Sequence, residues 1–230
     1  MRRILICIRA MSFLTLPVRG AEERKYVALT FDDGPSGKYT ETLLEGLALR
    51  GAKATFLLCG YRMEQYPDLA QQIFDEGHEI GYHGYSHDPM NTLSRRAIAA
   101  ELTASRDLMP EDCSPRFFRP PGGIISDGVR QVAEAKNLIL LGWSVDPRDW
   151  GTNSAERIEQ AVLKNVSDGD IVVLHDMTYS SVKAALNVVD ALQAQGYRFV
   201  TVSELAKLRG TRLRPGEELK KCPRKDSGLK

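Results

Sequence analysis

A chain of 230 residues that is 43% hydrophobic can bury one substantial core, and no linker rich in Pro, Gly or Ser divides it. Its 31 basic and 30 acidic residues leave a formal net charge of +1, which excludes the strongly basic character typical of nucleic-acid binding. We therefore expect one globular domain between two terminal segments, with no nucleic acid among its partners.

The first 20 residues are typical of a secretory signal peptide. Met1-Arg2-Arg3 precedes an apolar stretch over 4–18, residues 1–20 contain no acid, and Val18-Arg19-Gly20 is a tolerable cleavage site. Arg9 interrupts the apolar run, which is also too short to span a bilayer comfortably. The sequence predicts a secreted or cell-envelope protein with no stable membrane partner.

Apolar strand-like runs alternate with amphipathic helical segments through most of the chain. The predicted strands cover residues 27–30, 54–58, 79–82, 117–119, 138–143, 170–175 and 198–201. The predicted helices cover residues 40–50, 67–76, 94–108, 127–136, 154–164, 180–195 and 203–209. This alternation indicates mostly parallel strands, and about seven repeats favour a barrel over an open sheet. Beyond them, the polar and basic segment 210–230 predicts a loose tail.

The first predicted strand ends in two adjacent acids, within Thr30-Phe31-Asp32-Asp33-Gly34-Pro35. Adjacent carboxylates repel each other, and a buried strand has no structural reason to end in two of them. Because successive side chains point in different directions, one acid can hold a metal while the other handles a proton. A turn aspartate beside a helix cap is the structural alternative.

Three of the four histidines lie in one short segment, residues 78–87. The spacing of His83 and His87 would bring two imidazoles to one side of a helical turn, within reach of one metal. With a carboxylate from the first strand they offer two nitrogens and one oxygen. Such a set leaves coordination positions open for water and substrate, as in catalytic metal sites.

A rigid segment, Arg119-Pro120-Pro121-Gly122-Gly123, follows the fourth predicted strand. The prolines stiffen the backbone, and the glycines let it approach a ligand closely. A backbone N–H after the prolines could stabilise developing oxyanion charge, and Arg119 could pair with a carboxylate across the rim. A plain turn with a surface arginine is the alternative.

Two later strand ends carry further candidate groups. Trp150 could pack on the face of a sugar ring or anchor the core, and the adjacent Asp149 could orient an imidazole. The strand that ends in His175 would place that imidazole on the same rim, because active-site residues of such barrels follow the strands. Near a carboxylate such as Asp149, its pKa would rise and it could act as a general acid; a structural histidine is the alternative.

The cysteines have no metal-binding spacing. Cys7 would leave with the signal peptide, and Cys59 ends an apolar strand and is expected to be a small core residue. A disulfide between Cys113 and Cys222 is compatible with export, although the sequence does not establish the pairing.

Taken in chain order, these motifs resemble the polysaccharide deacetylase family, also called the NodB-homology domain or carbohydrate esterase family four. The resemblance covers residues 26–208 and rests on Thr30-Phe31-Asp32-Asp33-Gly34-Pro35, His83-Gly84-Tyr85-Ser86-His87, Arg119-Pro120-Pro121-Gly122, Asp146-Pro147-Arg148-Asp149-Trp150 and Leu174-His175. It implies a single-domain α/β fold, a distorted (β/α)7 barrel of the NodB-homology type. It also implies metal-dependent removal of N-acetyl groups from an acetylated glycan such as peptidoglycan or a chitin-like oligosaccharide.

The resemblance also implies a role for each acid of the pair. Asp33, His83 and His87 would bind a divalent metal, usually Zn²⁺, with Co²⁺ or another divalent ion as alternatives. Asp32 would be the base that activates the attacking water, and Arg119 would position it. The alternative is that the two aspartates have the reverse roles, with Asp32 as metal ligand and Asp33 as base.

The other matched positions would serve the leaving group and the substrate. His175 would protonate the leaving amine, with Asp149 tuning it, and the Gly122 N–H would help to hold the oxyanion. Trp150 and Leu174 would line a pocket for the acetyl methyl group. Many members carry an aromatic residue where Gly122 stands, so one wall of the substrate groove would be missing here.

Two other functions remain open at this stage. The first is a related hydrolase that keeps the fold but cleaves a non-sugar amide. The second is a glycan-binding module that retains a structural metal and turns nothing over. Acetate release from glycans would distinguish both from a deacetylase.

Overall fold

The structure, a computed structural model, describes residues 24–224; the predicted signal peptide lies outside this range. The described residues form eight strands: β1 (Lys25–Asp32), β2 (Thr55–Leu58), β3 (Glu79–Tyr82), β4 (Phe117–Phe118), β5 (Ile139–Leu141), β6 (Ile171–His175), β7 (Tyr197–Phe199) and β8 (Glu218–Leu219). They also form eight α-helices: α1 (Lys38–Leu49), α2 (Gly60–Gln65), α3 (Pro67–Asp75), α4 (Arg95–Arg106), α5 (Asp127–Ala135), α6 (Ala155–Asn165), α7 (Tyr179–Ala194) and α8 (Val202–Leu208).

The strands make one curled parallel sheet with helices packed around it. The hydrogen-bonded order is β6-β1-β2-β3-β4-β5-β8, and β7 pairs with the first residues of β1. Parallel neighbours need a long crossover between them, which the helices provide. The predicted distorted (β/α) barrel in a single domain is confirmed.

The chain changes its hydrogen-bonding partner after β5. The predicted strand 138–143 ends at Leu141, and the next residues turn toward β6 instead. The N–H groups of Ser144 and Val145 both donate to the Ile171 carbonyl, at 2.9 and 3.2 Å. Val145 also forms an isolated parallel bridge with Val172. These bonds join the segment after β5 to β6, the strand at the far end of the hydrogen-bonded order.

Alternation along the strands separates an inner face from an outer one. The inner cluster includes Ala28, Phe117 and Ile171 together with residues of α8, whereas the outer clusters pack against the other helices. On the outer face the rings of Phe31 and Phe56 stack with centroids 5.3 Å apart. Each such fully buried side chain contributes about 1.5–3 kcal/mol through loss of contact with water.

The prediction of a loose tail is wrong for residues 210–224. Strand β8 pairs in parallel with β5, with Leu219 opposite Leu141. Cys222 is fully buried, and its N–H donates to the Gly169 carbonyl at 2.8 Å. The polar composition of this segment gives no local indication of a strand. The segment forms one because β5 offers a free edge with which it can pair.

The disulfide considered from the sequence is not formed. Among the described residues Cys59, Cys113 and Cys222 are free thiols. Cys222 lies in the inner cluster, whereas Cys113 packs against the largest outer cluster. The two thiols therefore lie in different layers of the fold.

Candidate metal and acid–base site

The predicted functional residues lie where parallel strands end on one side of the sheet. Asp32 is the last residue of β1 and pairs in register with His175, the last residue of β6. His83 directly follows β3 and Arg119 directly follows β4. Because neighbouring parallel strands share one carboxyl edge, the fold brings these side chains together, as expected for barrels of this kind.

Asp32 and Arg119 form a buried ion pair at the centre of this edge. The Arg119 Nη1 lies 2.6 Å from the Asp32 Oδ1 and also donates to the Thr30 hydroxyl at 2.9 Å. Its Nε and Nη2 donate to the carbonyls of Leu141 and Gly142 at 3.0 and 2.9 Å. The guanidinium is thus held by β1 and by the end of β5, and it compensates a carboxylate that would be costly to bury alone.

Asp33 turns away from Asp32 because its backbone is left-handed. Its φ is +72°, a conformation that aspartate and asparagine tolerate better than most residues. The Asp33 Oδ1 lies 3.2 Å from the His83 Nε2 and 3.1 Å from the His87 Nε2. The two adjacent acids therefore face different groups, as the sequence predicted.

Arg119 also determines which nitrogen His83 presents to Asp33. The His83 Nδ1 lies 2.8 Å from the Arg119 carbonyl oxygen. A carbonyl only accepts hydrogen bonds, so Nδ1 carries the proton and donates it. The Nε2 lone pair then points toward Asp33 and His87, which is the tautomer that a metal-binding histidine requires.

His87 does not share a helical turn with His83, so that part of the prediction is wrong. The segment 83–88 is an irregular loop, in which Gly84 and His87 have φ of +84° and +66°. These two left-handed residues fold the chain back and bring the imidazole centroids to 5.2 Å from each other. The four-residue spacing works here through loop geometry rather than helical periodicity.

Asp33, His83 and His87 fit a divalent cation. One ligand atom from each lies within 4.8 Å of the others. Ligands of a tetrahedral zinc lie about 2.1 Å from the metal, hence about 3.4 Å from each other. The Asp33 Oδ1 is buried and makes no well-formed hydrogen bond, which is the state of an oxygen suited to a cation. Burial would raise the Asp33 pKa, but hydrogen bonds and charge from the two imidazoles in their protonated forms outweigh burial and hold it below its usual range.

His175 and Asp149 form a second pair beside the first. The His175 Nδ1 lies 2.7 Å from the Asp149 Oδ1, and its backbone N–H donates to the Oδ2 at 2.8 Å. With Nδ1 bonded to a carboxylate, Nε2 is the nitrogen left for a substrate. Burial by itself would lower the pKa of His175, but the hydrogen bond and charge of Asp149 raise it to about 9.

The segment after β4 forms a tight turn that opens toward solvent. Pro121–Gly123 is a 3-10 turn, closed by the Gly123 N–H donating to the Pro120 carbonyl at 2.8 Å. A Cβ at Gly123 would collide with the Trp143 ring, so this position requires glycine. A Cβ at Gly122 would meet no atom within 4 Å, which leaves this side of the edge open.

The two residues predicted to line a pocket for the acetyl methyl group differ in their exposure to solvent. Trp150 is 70% exposed and lies one residue beyond Asp149. Leu174 is fully buried among the outer apolar residues of the barrel, so its predicted contact with substrate is not met. Successive strand residues face opposite sides, and His175 takes the side of the site.

A buried acid next to this site was not predicted from the sequence. Asp176 is fully buried, accepts a hydrogen bond from the Thr40 hydroxyl, and accepts another from Ser36 at its carbonyl. A Cβ on Gly34 would lie 2.6 Å from its Oδ1, so this carboxyl packs directly against the turn after Asp33. Burial raises the pKa of Asp176 to about 6. An acid directly after a strand-end histidine was the available signal.

The fold and these contacts define a class of protein, an α/β-barrel enzyme with a candidate metal centre and an acid–base pair at its strand ends. The chain belongs to the polysaccharide deacetylase family, because the sequence profile described as "Polysaccharide deacetylase" matches residues 19–139, more than half of it. The family and the NodB-type barrel predicted from the motifs are thereby confirmed. Among residues 24–224, no helix is long and apolar enough to cross a membrane.

Similar proteins include deacetylases and an esterase. A peptidoglycan-N-acetylglucosamine deacetylase from Bacillus cereus is 40% identical over 187 residues, which are 79% of this chain and 88% of that protein. The peptidoglycan-N-acetylmuramic acid deacetylase PdaC from Bacillus subtilis is 34% identical over 82% of this chain, which spans only 40% of that protein's length. A family 4 acetyl xylan esterase from Clostridium thermocellum, solved with a cobalt ion, superposes with a TM-score of 0.80 at 31% identity, covering 86% of this chain and 100% of that one.

Proposed function

We propose that this protein hydrolyses the N-acetyl groups of an amino-sugar glycan, with peptidoglycan N-acetylglucosamine as the favoured substrate. One observation carries the proposal: a base candidate (Asp32), an acid candidate (His175) and a three-ligand cation site meet at one edge of the barrel. The names of the Bacillus relatives support this substrate class.

Asp33, His83 and His87 would hold the cation of this enzyme, with Zn²⁺ or Co²⁺ as the expected ions. When bound, such an ion supplies Lewis acidity and lowers the pKa of water. The donor set of two imidazole nitrogens and one carboxylate oxygen suits zinc, and the related esterase was solved with cobalt. The chain contributes the orientation of these ligands, above all the His83 tautomer set by the Arg119 carbonyl.

Asp32 would act as general base. The Arg119 guanidinium holds its carboxylate in place, and the attacking water would transfer its proton there as its oxygen bonds to the acetyl carbon. The Gly122 N–H would donate to the developing oxyanion, because the backbone around it is open to a ligand.

His175 would act as general acid on the opposite side of the reacting amide. Its Nδ1 is bound to Asp149, so the Nε2 proton would pass to the sugar nitrogen as the C–N bond breaks. The products are acetate and a free amino sugar. Exposed Trp150, beside Asp149, would offer its ring to a sugar face.

A peptidoglycan substrate places this enzyme at the cell envelope. The signal peptide predicted over residues 1–20 and the peptidoglycan-directed names of the relatives both support export.

The proposal is tested by acetate release after metal replacement. Zinc- or cobalt-loaded protein should release acetate from peptidoglycan or N-acetylglucosamine oligomers, and chelation should abolish the release. Acetylated xylan serves as the ester comparison. Binding of glycans with no acetate release under any metal would instead support a non-catalytic binding module. Release from a small non-sugar amide alone would support the related amide hydrolase.

Substituting Asp149 with asparagine should move the alkaline limb of the pH–rate profile. In the unaltered protein the raised His175 pKa, about 9, keeps the acid protonated, so turnover should fall as pH rises through that value. Without the Asp149 charge, burial dominates and the limb should fall to about pH 6.5 or below. Because the pKa of His175 is higher in the folded protein than in the unfolded chain, protonation of His175 stabilises the fold. This contribution is fully present below the pKa of the unfolded chain and is lost as pH rises through about 9.

The profile of kcat against pH, measured for both proteins at saturating substrate, checks this prediction. Asp146→Asn is the matched control, because Asp146 is an exposed acid of the same loop. An Asp149→Asn protein with an unchanged alkaline limb would remove His175 from the role of acid.

A further inference from the structure

We propose that Glu101, on helix α4, is a positioning residue that orders the loop carrying His83 and His87 for cation binding. This inference rests on the proposed function and adds a residue that lies outside every motif of the sequence. We call residues 83–87 the histidine loop. Its two imidazoles supply the nitrogens of the cation site, so its shape determines whether that site is preformed.

One carboxylate oxygen of Glu101 accepts three hydrogen bonds from the histidine loop. The backbone N–H groups of Tyr85 and Ser86 both donate to Oε2 at 2.8 Å. The Ser86 hydroxyl donates to the same oxygen at 3.1 Å. Hydrogen bonds to an ionised acceptor are roughly twice as strong as neutral ones. These three donors lie on the residues directly before His87.

The histidine loop needs such a partner because it has no regular structure of its own. Helix α2 holds the carbonyl groups of the loop: the N–H groups of Gly60 and Tyr61 donate to the carbonyls of Gly84 and Tyr85, at 2.9 and 3.1 Å. Glu64 of α2 also accepts the Tyr85 hydroxyl at 2.7 Å. The N–H groups of Tyr85 and Ser86 face α4 instead, where Glu101 accepts them. The backbone of this part of the loop is therefore bound on both sides, by N–H donors from α2 and by one acceptor from α4.

Helix α4, which carries Glu101, is itself held firmly. The Ser94 side chain caps α4 by accepting the Ala97 N–H, and Ile98 and Leu102 anchor the helix in the core. Gly84 permits the close approach of loop and helix. A Cβ there would collide with Met90 and would lie 3.4 Å from the Glu101 Oε2.

His87 depends on this support more than His83 does. The side chain of His87 is 43% exposed and its backbone is left-handed, whereas that of His83 is 3% exposed and is bonded to the Arg119 carbonyl. Without Glu101, the loop would have to become ordered when the cation binds, and the free energy needed for this would lower the affinity for the cation. Loss of a group that orients a metal ligand typically weakens affinity by about 10- to 100-fold.

Three variants separate positioning from charge. Glu101→Ala removes the acceptor, Glu101→Gln keeps a carbonyl oxygen without the charge, and Ser86→Ala removes one donor of three. Glu45→Ala is the matched control, because Glu45 is an exposed glutamate on α1. Zinc affinity is measured by competition with a chelating dye. Amide hydrogen exchange of residues 83–88 is measured in chelator-treated protein, and acetate release is measured in parallel.

We expect Glu101→Ala to bind zinc about 10- to 100-fold more weakly and to exchange the loop amides faster even without zinc. Ser86→Ala should change both in the same direction by less, Glu101→Gln should recover most of the affinity, and Glu45→Ala should match the unaltered protein. Unchanged affinity and exchange in Glu101→Ala would overturn the inference. So would a Glu101→Gln protein as weak as Glu101→Ala with normal exchange, because charge alone would then explain the loss.

The same experiment distinguishes this inference from the proposed function. If the unaltered protein bound zinc and the variants showed the expected loop effects, but no glycan released acetate, the proposed function would be refuted and Glu101 would remain a positioning residue. Acetate release that is equal in Glu101→Ala and the unaltered protein, at equal zinc affinity, would refute the inference and leave the function intact.

Discussion

Substituting Asp32 with asparagine should reduce kcat by about 10²- to 10⁴-fold while leaving zinc affinity near that of the unaltered protein. Asparagine has nearly the same shape but cannot take up the proton of the attacking water. The cation ligands do not include Asp32, whose Oδ1 is bound to Arg119 instead. The measurements are kcat for acetate release and zinc affinity by chelator competition.

Stability must be followed in the same experiment, because the substitution leaves the buried Arg119 without its counter-charge. Breaking a buried ion pair from one side costs about 3–5 kcal/mol. The kcat values of the variant and the unaltered protein are therefore compared at a temperature at which thermal unfolding shows that both are folded. Asp68→Asn, at an exposed position at the start of α3, serves as control. A folded Asp32→Asn protein with full turnover would refute the assigned base.

Substituting Asp33 with asparagine should have the complementary effect and weaken zinc affinity by about 100-fold or more. Loss of a group that only orients a metal ligand weakens the affinity by up to about 100-fold, and loss of a ligand should weaken it at least as much. The Asp33 Oδ1 is the anionic member of the three-ligand set. Asparagine tolerates the left-handed backbone at this position, so the fold should be kept, whereas alanine would add strain. Acetate release should fall with zinc occupancy and recover in part at high zinc concentration.

The two aspartate variants together decide between the proposed roles and their reversal. If Asp33→Asn kept zinc and lost turnover while Asp32→Asn lost zinc, the assignments would have to be exchanged. Circular dichroism and thermal unfolding of both variants exclude a global loss of structure as the cause.

Strands β1 to β7 and most helices could be predicted because their signals are local. The sequence predicts β3 at its observed bounds, Glu79–Tyr82, and places α5 and α7 to within one residue at each end. Alternating or helical periodicity within each element carries this information. Helix α2 was not predicted because it has only six residues and begins just after the end of β2.

The site residues could be predicted for a different reason, which is their unusual chemistry at strand ends. Two adjacent acids, three clustered histidines and an arginine before two prolines all stand where a barrel places its reactive groups. The contacts of Asp32 with Arg119 and of Asp149 with His175 follow the expected pairs. Their catalytic roles remain predictions for the variants described above.

What the sequence by itself determined is therefore the order of elements, the family and the residue types at the strand ends, since these depend on neighbours within a few positions. Only the tertiary structure decided the left-handed loop that brings His87 to Asp33, the burial of Leu174, the pairing of β8 with β5 and the contact of Glu101 with the histidine loop. Each of these depends on a partner that lies far along the chain or in another layer. Such contacts leave no periodic signal in the sequence, because the free energy that selects them comes from surfaces that the fold itself creates.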